Sequence, residues 1–324
     1  MPDVSDVEVT YEMIRYESLL SDLDTLNLEA GFNQLREKHP QFTDLYFNNV
    51  IPISSQGQYD DVFISELGGF LKDKRIRKLM DTIDILFPDF QEEYQAQYDQ
   101  AFKLLKHYIP AFQEPNVYTL ISEYAYQHFL FPDAKRDGLG VGLDMYLGQS
   151  FDYKRIDPTA TSFSDYFTRT FSKEHILRKS MKAILEDIMP PPAGNTMLDL
   201  MIHNGKYLYI LDKVLPEAHD SVIMEYSTTQ MEWASNNELE MWAFFFKEKL
   251  FYETNMMTIN KYVNPSPDSP GMPEEAPGRT GNYMGWQIVK TYMKKYPQTT
   301  ITELVSIGDA QQIMDKSRYK PKKP

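Results

Sequence analysis

The sequence predicts a mainly α-helical protein with one small β-sheet, an α+β arrangement, and three observations carry that expectation. Apolar residues recur at steps of three and four through most of its 324 residues. Between residues 116 and 148 the pattern changes to short runs rich in Val, Ile, Tyr and Phe, bounded by turn residues. Beyond residue 160, a Ser or Thr followed three positions later by Glu or Gln marks several helix starts.

Taken in order, "YEMIRYESLLSDL" (11–23) and "LEAGFNQLREKHP" (28–40) read as helices, the second stopping before Pro40. The run "DVFISELGGFLKDKRIRKLMDTIDILF" (61–87) and "FQEEYQAQYDQAFKLLKHY" (90–108) follow, closed by Pro88 and Pro110. "NVYTLISEYAYQHFLF" (116–131) and "GLGVGLDMYLG" (138–148) are the expected strands, joined by the turn-like "PDAKRDG". Helices return with "LDLMIHNGKYLYILDKVLP" (198–216), where Leu198, Met201, Ile202, Gly205, Leu208 and Tyr209 share an apolar face. Capping boxes are expected at Ser227–Gln230, Ser235–Glu238 and Thr300–Glu303. The run "ELEMWAFFFKEKLFY" (238–252) is apolar on most of its circumference and reads as a central helix. In "GNYMGWQIVKTYMKKYP" (281–297), Gly281 and Gly285 are four apart, a spacing that lets another backbone approach. The proline-rich stretch 264–278 is an extended surface loop or lid.

Composition narrows the function classes. The formal charge of −14 argues against nucleic acid and against electrostatic docking to anionic lipid. Most of the net negative charge lies in residues 1–110, with 20 acidic against 10 basic side chains, while the end "KSRYKPKKP" is locally basic and reads as a solvated tail in preference to a docking strip. Domain organisation follows as an acidic N-terminal helical region, 1–110, and an α+β core, 111–324, in one compact unit. With no cysteine, disulfides, thiol nucleophiles and thiolate metal sites are excluded. No apolar run is long enough to span a bilayer. "MPDVSDVEV" reads as an initiator Met placed before a mature segment.

Candidate chemistry is sparse. No two of the histidines at 39, 107, 128, 175, 203 and 219 stand three or four apart, so no helix offers the paired imidazoles of a zinc site. "GLGVG" (138–142) has neither the spacing nor the lysine of a phosphate loop, and its alternate glycines signal a ring or helix packed close. Asp144, set among apolar residues, calls for a buried partner such as Lys206 or Arg279. Gln230, Trp233, Asn237 and Glu238 form a polar–aromatic cluster, for which capping chemistry is the plainer explanation.

Five blocks raise the reading further: "GLDMYLG" (142–148), "MLDLMIHNGKYLYILDKVLP" (197–216), "YSTTQMEWASNNELEMW" (226–242), "PGRTGNYMGWQIVKTYM" (277–293) and "SRYKPKK" (317–323). In this order and spacing they resemble the GldB family, the gliding-motility-associated lipoproteins of Bacteroidota, over roughly residues 80–324. The resemblance implies an exported, membrane-anchored lipoprotein of the bacterial cell envelope, facing the periplasm and required for gliding and type IX secretion. Its lipid-bearing cysteine would stand just upstream of Pro2.

The same blocks are distantly similar to predicted zinc-dependent proteases that carry a paired-histidine helix. In that comparison Met201, Ile202 and Gly205 occupy the places of ligand, base and second ligand. The resemblance therefore implies a zincin-like scaffold lacking metal ligands, with no catalytic residue and no cofactor. The expected function is a non-enzymatic one, exerted through contacts with other gliding and secretion proteins of the envelope. The expected contact surface is the cleft between 142–148, the 198–212 helix and the 281–293 helix, edged by loop 264–278. Its candidates are Asp144, Tyr146, Lys206, Tyr209, Gln230, Trp233, Asn237, Glu238, Arg279 and Trp286, with Lys206 and Trp286 expected to tolerate substitution. The acidic N-terminal third favours a partner with a basic face. A metal-dependent hydrolase with an atypical site, and a glycan- or peptidoglycan-binding module, are the alternatives.

Overall fold

A computed structural model describes every residue except 55, 56, 135 and 322–324, so the last three residues of the basic tail lie outside the described residues. The chain is mainly helical around one four-stranded sheet: β1 (Met13–Arg15), β2 (Asn116–Leu120), β3 (His128–Asp133) and β4 (Arg136–Gly142), in the order β1-β2-β4-β3. β1 and β4 flank β2 in parallel, with Met13 opposite Val117 and Val117 opposite Leu139. β3 closes the edge antiparallel to β4, with Leu130 opposite Leu139. The sheet stands where the Val/Tyr/Phe-rich runs place it, but "NVYTLISEYAYQHFLF" is two strands rather than one. Asp144 explains the break. It accepts from the backbone N–H groups of Ser122 (3.0 Å) and Tyr124 (2.6 Å), pinning a turn in which Glu123 and Tyr124 adopt positive φ.

The alternate glycines of β4 serve the packing expected of them. A Cβ at Gly138 would stand 2.1 Å from the Phe131 ring, and one at Gly140 would stand 2.4 Å from Phe129. The aromatics of β3 lie flat across β4 because nothing rises from those two positions.

Several helix boundaries depart from expectation. Met13–Arg15 is strand, not helix, because β2 offers it an unpaired edge. Pro40 starts a helix, Pro40–Leu45, where the missing proline N–H is harmless. The 61–87 run is two helices, Asp61–Lys72 and Lys74–Leu86; Asp73 ends one and caps the next, accepting from Arg75 N–H at 2.7 Å. The boxes at Ser227–Gln230 and Thr300–Glu303 form as expected, and another forms at Thr196–Asp199. Ser235 caps nothing: it lies inside the Thr228–Asn236 helix.

The central helix is Met197–Val214, not 238–252. Met197–Val214 buries residues around most of its circumference, whereas Glu238–Lys247 buries only the Glu238, Met241, Phe245 face and leaves Phe246 70% exposed. Thr280–Lys295 packs along the central helix at backbone distance. A Cβ at Gly205 would stand 2.3 Å from the Gly285 carbonyl, and one at Gly285 only 1.8 Å from the Met201 oxygen. Such an approach needs glycine on both sides. Buried apolar residues form one continuous cluster, drawing on both the first 110 residues and the remainder. No helix among the described residues is long and apolar enough to cross a membrane.

Candidate functional site

The helix pair decides the fate of the expected cleft. Met201 and Gly205 face Thr280–Lys295 across backbone contact and Ile202 is buried, so no open cleft separates the two helices where 201–205 meets 281–286. Trp286 has no exposed surface and sits within the core, its indole beneath the Lys290 ammonium at 3.6 Å. An exposed contact role at Trp286 is therefore corrected. Lys206 is likewise nearly enclosed, its ammonium donating to the Ile307 carbonyl. Burial pushes that ammonium down to about 8. Substitution at either position disturbs packing rather than a surface.

Asp144 pairs with neither Lys206 nor Arg279. It is fully buried, and besides the two backbone N–H groups it accepts from the Ser122 hydroxyl at 3.2 Å. Burial raises its carboxyl to about 6, with these hydrogen bonds opposing the rise. Tyr146, also buried, belongs to a polar chain: its hydroxyl meets His128 Nδ1 (3.0 Å), His128 Nε2 meets Ser180 Oγ (2.9 Å), and Ser180 meets the Tyr98 hydroxyl (2.6 Å). Burial holds His128 well below its ordinary range, so it is neutral. The Ser180–His128 pair has nucleophile–base spacing, yet Ser180 is wholly enclosed and already engaged by Tyr98.

The polar–aromatic cluster at 230–238 is explained by structure. Gln230 accepts from Ser227 N–H to complete its box, Asn237 donates to the Trp233 carbonyl at 2.8 Å, and Trp233 is half-buried. Glu238 is buried and accepts from the Tyr283 (3.1 Å) and Tyr319 (2.9 Å) hydroxyls. Tyr209 is half-buried with Lys213 over its ring.

Arg279 is the candidate that leads to a site. It donates from Nη1 to Glu225 Oε2 at 2.9 Å, and from Nη2 to the Met224 (2.7 Å) and Glu225 (3.0 Å) carbonyls. Arg178 Nη1 stands 3.2 Å and Lys179 Nζ 3.7 Å from Glu225 Oε1. Arg169 donates to the Glu225 carbonyl at 2.9 Å. Burial pushes the Glu225 carboxyl up, but Arg178, Lys179 and Arg279 outweigh it and hold the group well below the usual carboxylate range. Burial also brings the Lys179 ammonium down to about 8 and the nearby His175 down to about 4, leaving His175 uncharged at neutral pH.

Both Glu225 (φ 54°) and Arg279 (φ 61°) adopt the left-handed region, and each holds the other there through these bonds. The cluster opens into a cleft of about 280 Å³ between Arg169, Lys179, Lys182, Glu186 and the edge of the 264–278 loop. Sequence reading found Arg279 but missed Glu225, Arg169, Arg178 and Lys179, which lie on separate elements with no shared spacing.

Three carboxylates or imidazoles that could converge on a cation are not found among the described residues. A family model described as gliding motility protein GldB, whose own label marks its members as lipoproteins, matches residues 1–321. No curated protein and no solved structure matches the chain.

Proposed function

The chain belongs to the family of the gliding motility protein GldB, and on that premise we propose that it is a non-enzymatic, lipid-anchored envelope component. It faces the periplasm and acts through contacts with other proteins of the gliding and type IX secretion machinery. The observation that carries the non-enzymatic reading is the Gly205–Gly285 contact. In a zinc peptidase, the residues at 201, 202 and 205 would have to reach an open cation site and an activated water. Here Met201 and Gly205 meet the backbone of the neighbouring helix instead, and Ile202 is a buried aliphatic side chain in place of the base.

A contact role is supported by what the surface leaves uncovered. Phe246, Tyr252, Met256 and Met257 are exposed large side chains within twelve residues, and Met257 is 78% exposed. Large apolar side chains exposed this close together in the sequence are candidates for a protein-binding face. The acidic N-terminal third would speed encounter with a basic partner.

The test is affinity purification of the lipidated protein from cells, comparing the native chain with a Phe246→Ser, Met257→Ser variant. The variant should keep its circular dichroism and lose specific gliding or secretion proteins that the native chain retains. Recovery of the same proteins by both chains would move the contact elsewhere. Metal-dependent peptide hydrolysis by the purified native chain would replace the reading with a hydrolase.

A further inference from the structure

The cleft beside Glu225 gathers more positive charge than its own carboxylates offset. Arg169, Lys179, Lys182 and Arg279 line it, against Glu186 and Glu225. Arg178 adds a fifth cation behind Glu225. Lys182 pairs with Glu186, and Glu225 is shared by Arg178, Lys179 and Arg279. Two carboxylates against five cations, in a chain whose formal charge is −14, leave a local excess that no other charged group among the described residues of the cleft wall cancels. His175, packed behind the cluster, does not alter this balance, since burial keeps it neutral.

Two further features point to a ligand. Arg169 Nε and Gln127 Nε2 are buried polar atoms on this wall without a hydrogen-bond partner among the described residues. Buried donors are rarely left so, because desolvation without a replacement bond is unfavourable. In addition, Glu225 and Arg279 hold left-handed backbone that disfavours side chains with a Cβ. Strain of this sort concentrates where a geometry is kept for binding. Tyr166, Phe167, Ala183 and Pro265 supply an apolar wall opposite the cations.

We propose that this cleft binds a small phosphate ester, its phosphoryl oxygens received by Arg169, Lys182 and Arg279 and its organic portion lying against Tyr166 and Phe167. A phosphoryl dianion matches the excess charge better than a single carboxylate does, and guanidinium forks suit its tetrahedral oxygens. The cleft, near 280 Å³, admits a phosphoryl group with a short organic tail. A soluble phosphate ester and a phospholipid headgroup share this chemistry. The proposal goes beyond the contact role and stands without it.

Calorimetric titration of the full chain with inorganic phosphate and with glycerol 3-phosphate tests it, at an ionic strength fixed with sodium chloride. The native chain should bind glycerol 3-phosphate saturably, more tightly than inorganic phosphate. Arg169→Gln and Lys182→Gln should each weaken binding at least tenfold while leaving the circular dichroism unchanged. Lys182 is the safeguard, because its side chain is 41% exposed and lies at the rim. Flotation with vesicles containing phosphatidic acid separates the sources. Capture that both variants lose assigns a lipid headgroup, and glycerol 3-phosphate binding without capture assigns a soluble ester. No saturable binding, equal affinity in native and variant chains, or equal affinity for succinate would each overturn the proposal.

Discussion

Replacing Gly285 by alanine should separate the two central helices. The new Cβ would lie 1.8 Å from the Met201 carbonyl oxygen and 2.5 Å from its carbon. Ordinary contact begins at about 3.4 Å, so the helices must part by roughly 1.6 Å or bend. No flexible side chain can swing aside, because the obstructing atoms are backbone within Met197–Val214. Overpacking of this kind destabilises by about 3 kcal/mol at the upper end of its usual range. Alanine's helix preference over glycine returns about 1 kcal/mol, leaving a net loss of ~2 kcal/mol.

Gly69→Ala is the control. Gly69 is exposed within Asp61–Lys72, and its Cβ would meet nothing within 4 Å. That variant should match the native chain or gain up to ~1 kcal/mol. Urea unfolding followed by tryptophan fluorescence measures both, with buried Trp286 reporting beside the contact. If Gly285→Ala proved as stable as Gly69→Ala, the backbone contact would not exist as described.

Other substitutions probe the charged and capped groups. Glu225→Gln strands Arg178, Lys179 and Arg279 and should lose about 3–5 kcal/mol in chemical unfolding. Because the Glu225 carboxyl is held below its ordinary 4.5, the stability it contributes is present above that pH and lost as pH falls through the folded value. Acid titration of the variant should lack that part of the loss. Lys206 works in the opposite sense: its folded value of about 8 lies below the ordinary 10.5, so the unfolded chain binds more protons between them. Lys206 should therefore add stability as pH rises across that window, as Lys179 does. Lys206→Met should reduce the pH dependence of denaturation midpoints by the Lys206 share while leaving that of Lys179. Thr196→Ala removes the hydroxyl that accepts from Asp199 N–H at 3.2 Å and should reduce stability by ~1 kcal/mol.

Local chemistry was legible in the sequence wherever a short stretch determines the outcome. The boxes at Ser227 and Thr300, the ring packing over Gly138 and Gly140, and the close approach at Gly285 depend on residues a few positions apart, or on a glycine whose need is steric. Non-local partners were not legible. Met13–Arg15 becomes a strand only because β2, a hundred residues later, presents an open edge. Asp144 finds backbone donors in a neighbouring turn, which no charge pattern announces. The 238–252 run is apolar enough for a core helix, yet the core is filled by Met197–Val214 and Thr280–Lys295, and Phe246 is left outside. The Glu225 cluster joins residues from 169 to 279 on separate elements. Its strongest marks, two left-handed residues and buried unpaired donors, are properties of the folded chain.

Zinc titration of the purified native chain, followed by calorimetry and paired with elemental analysis of protein prepared without chelator, bears most directly on recognition without hydrolysis. A helix face closed by Gly285 should show no saturable zinc binding and no stoichiometric transition metal. A stoichiometric metal held by this chain, whose removal by chelator loosens the Met197–Val214 helix, would contradict it.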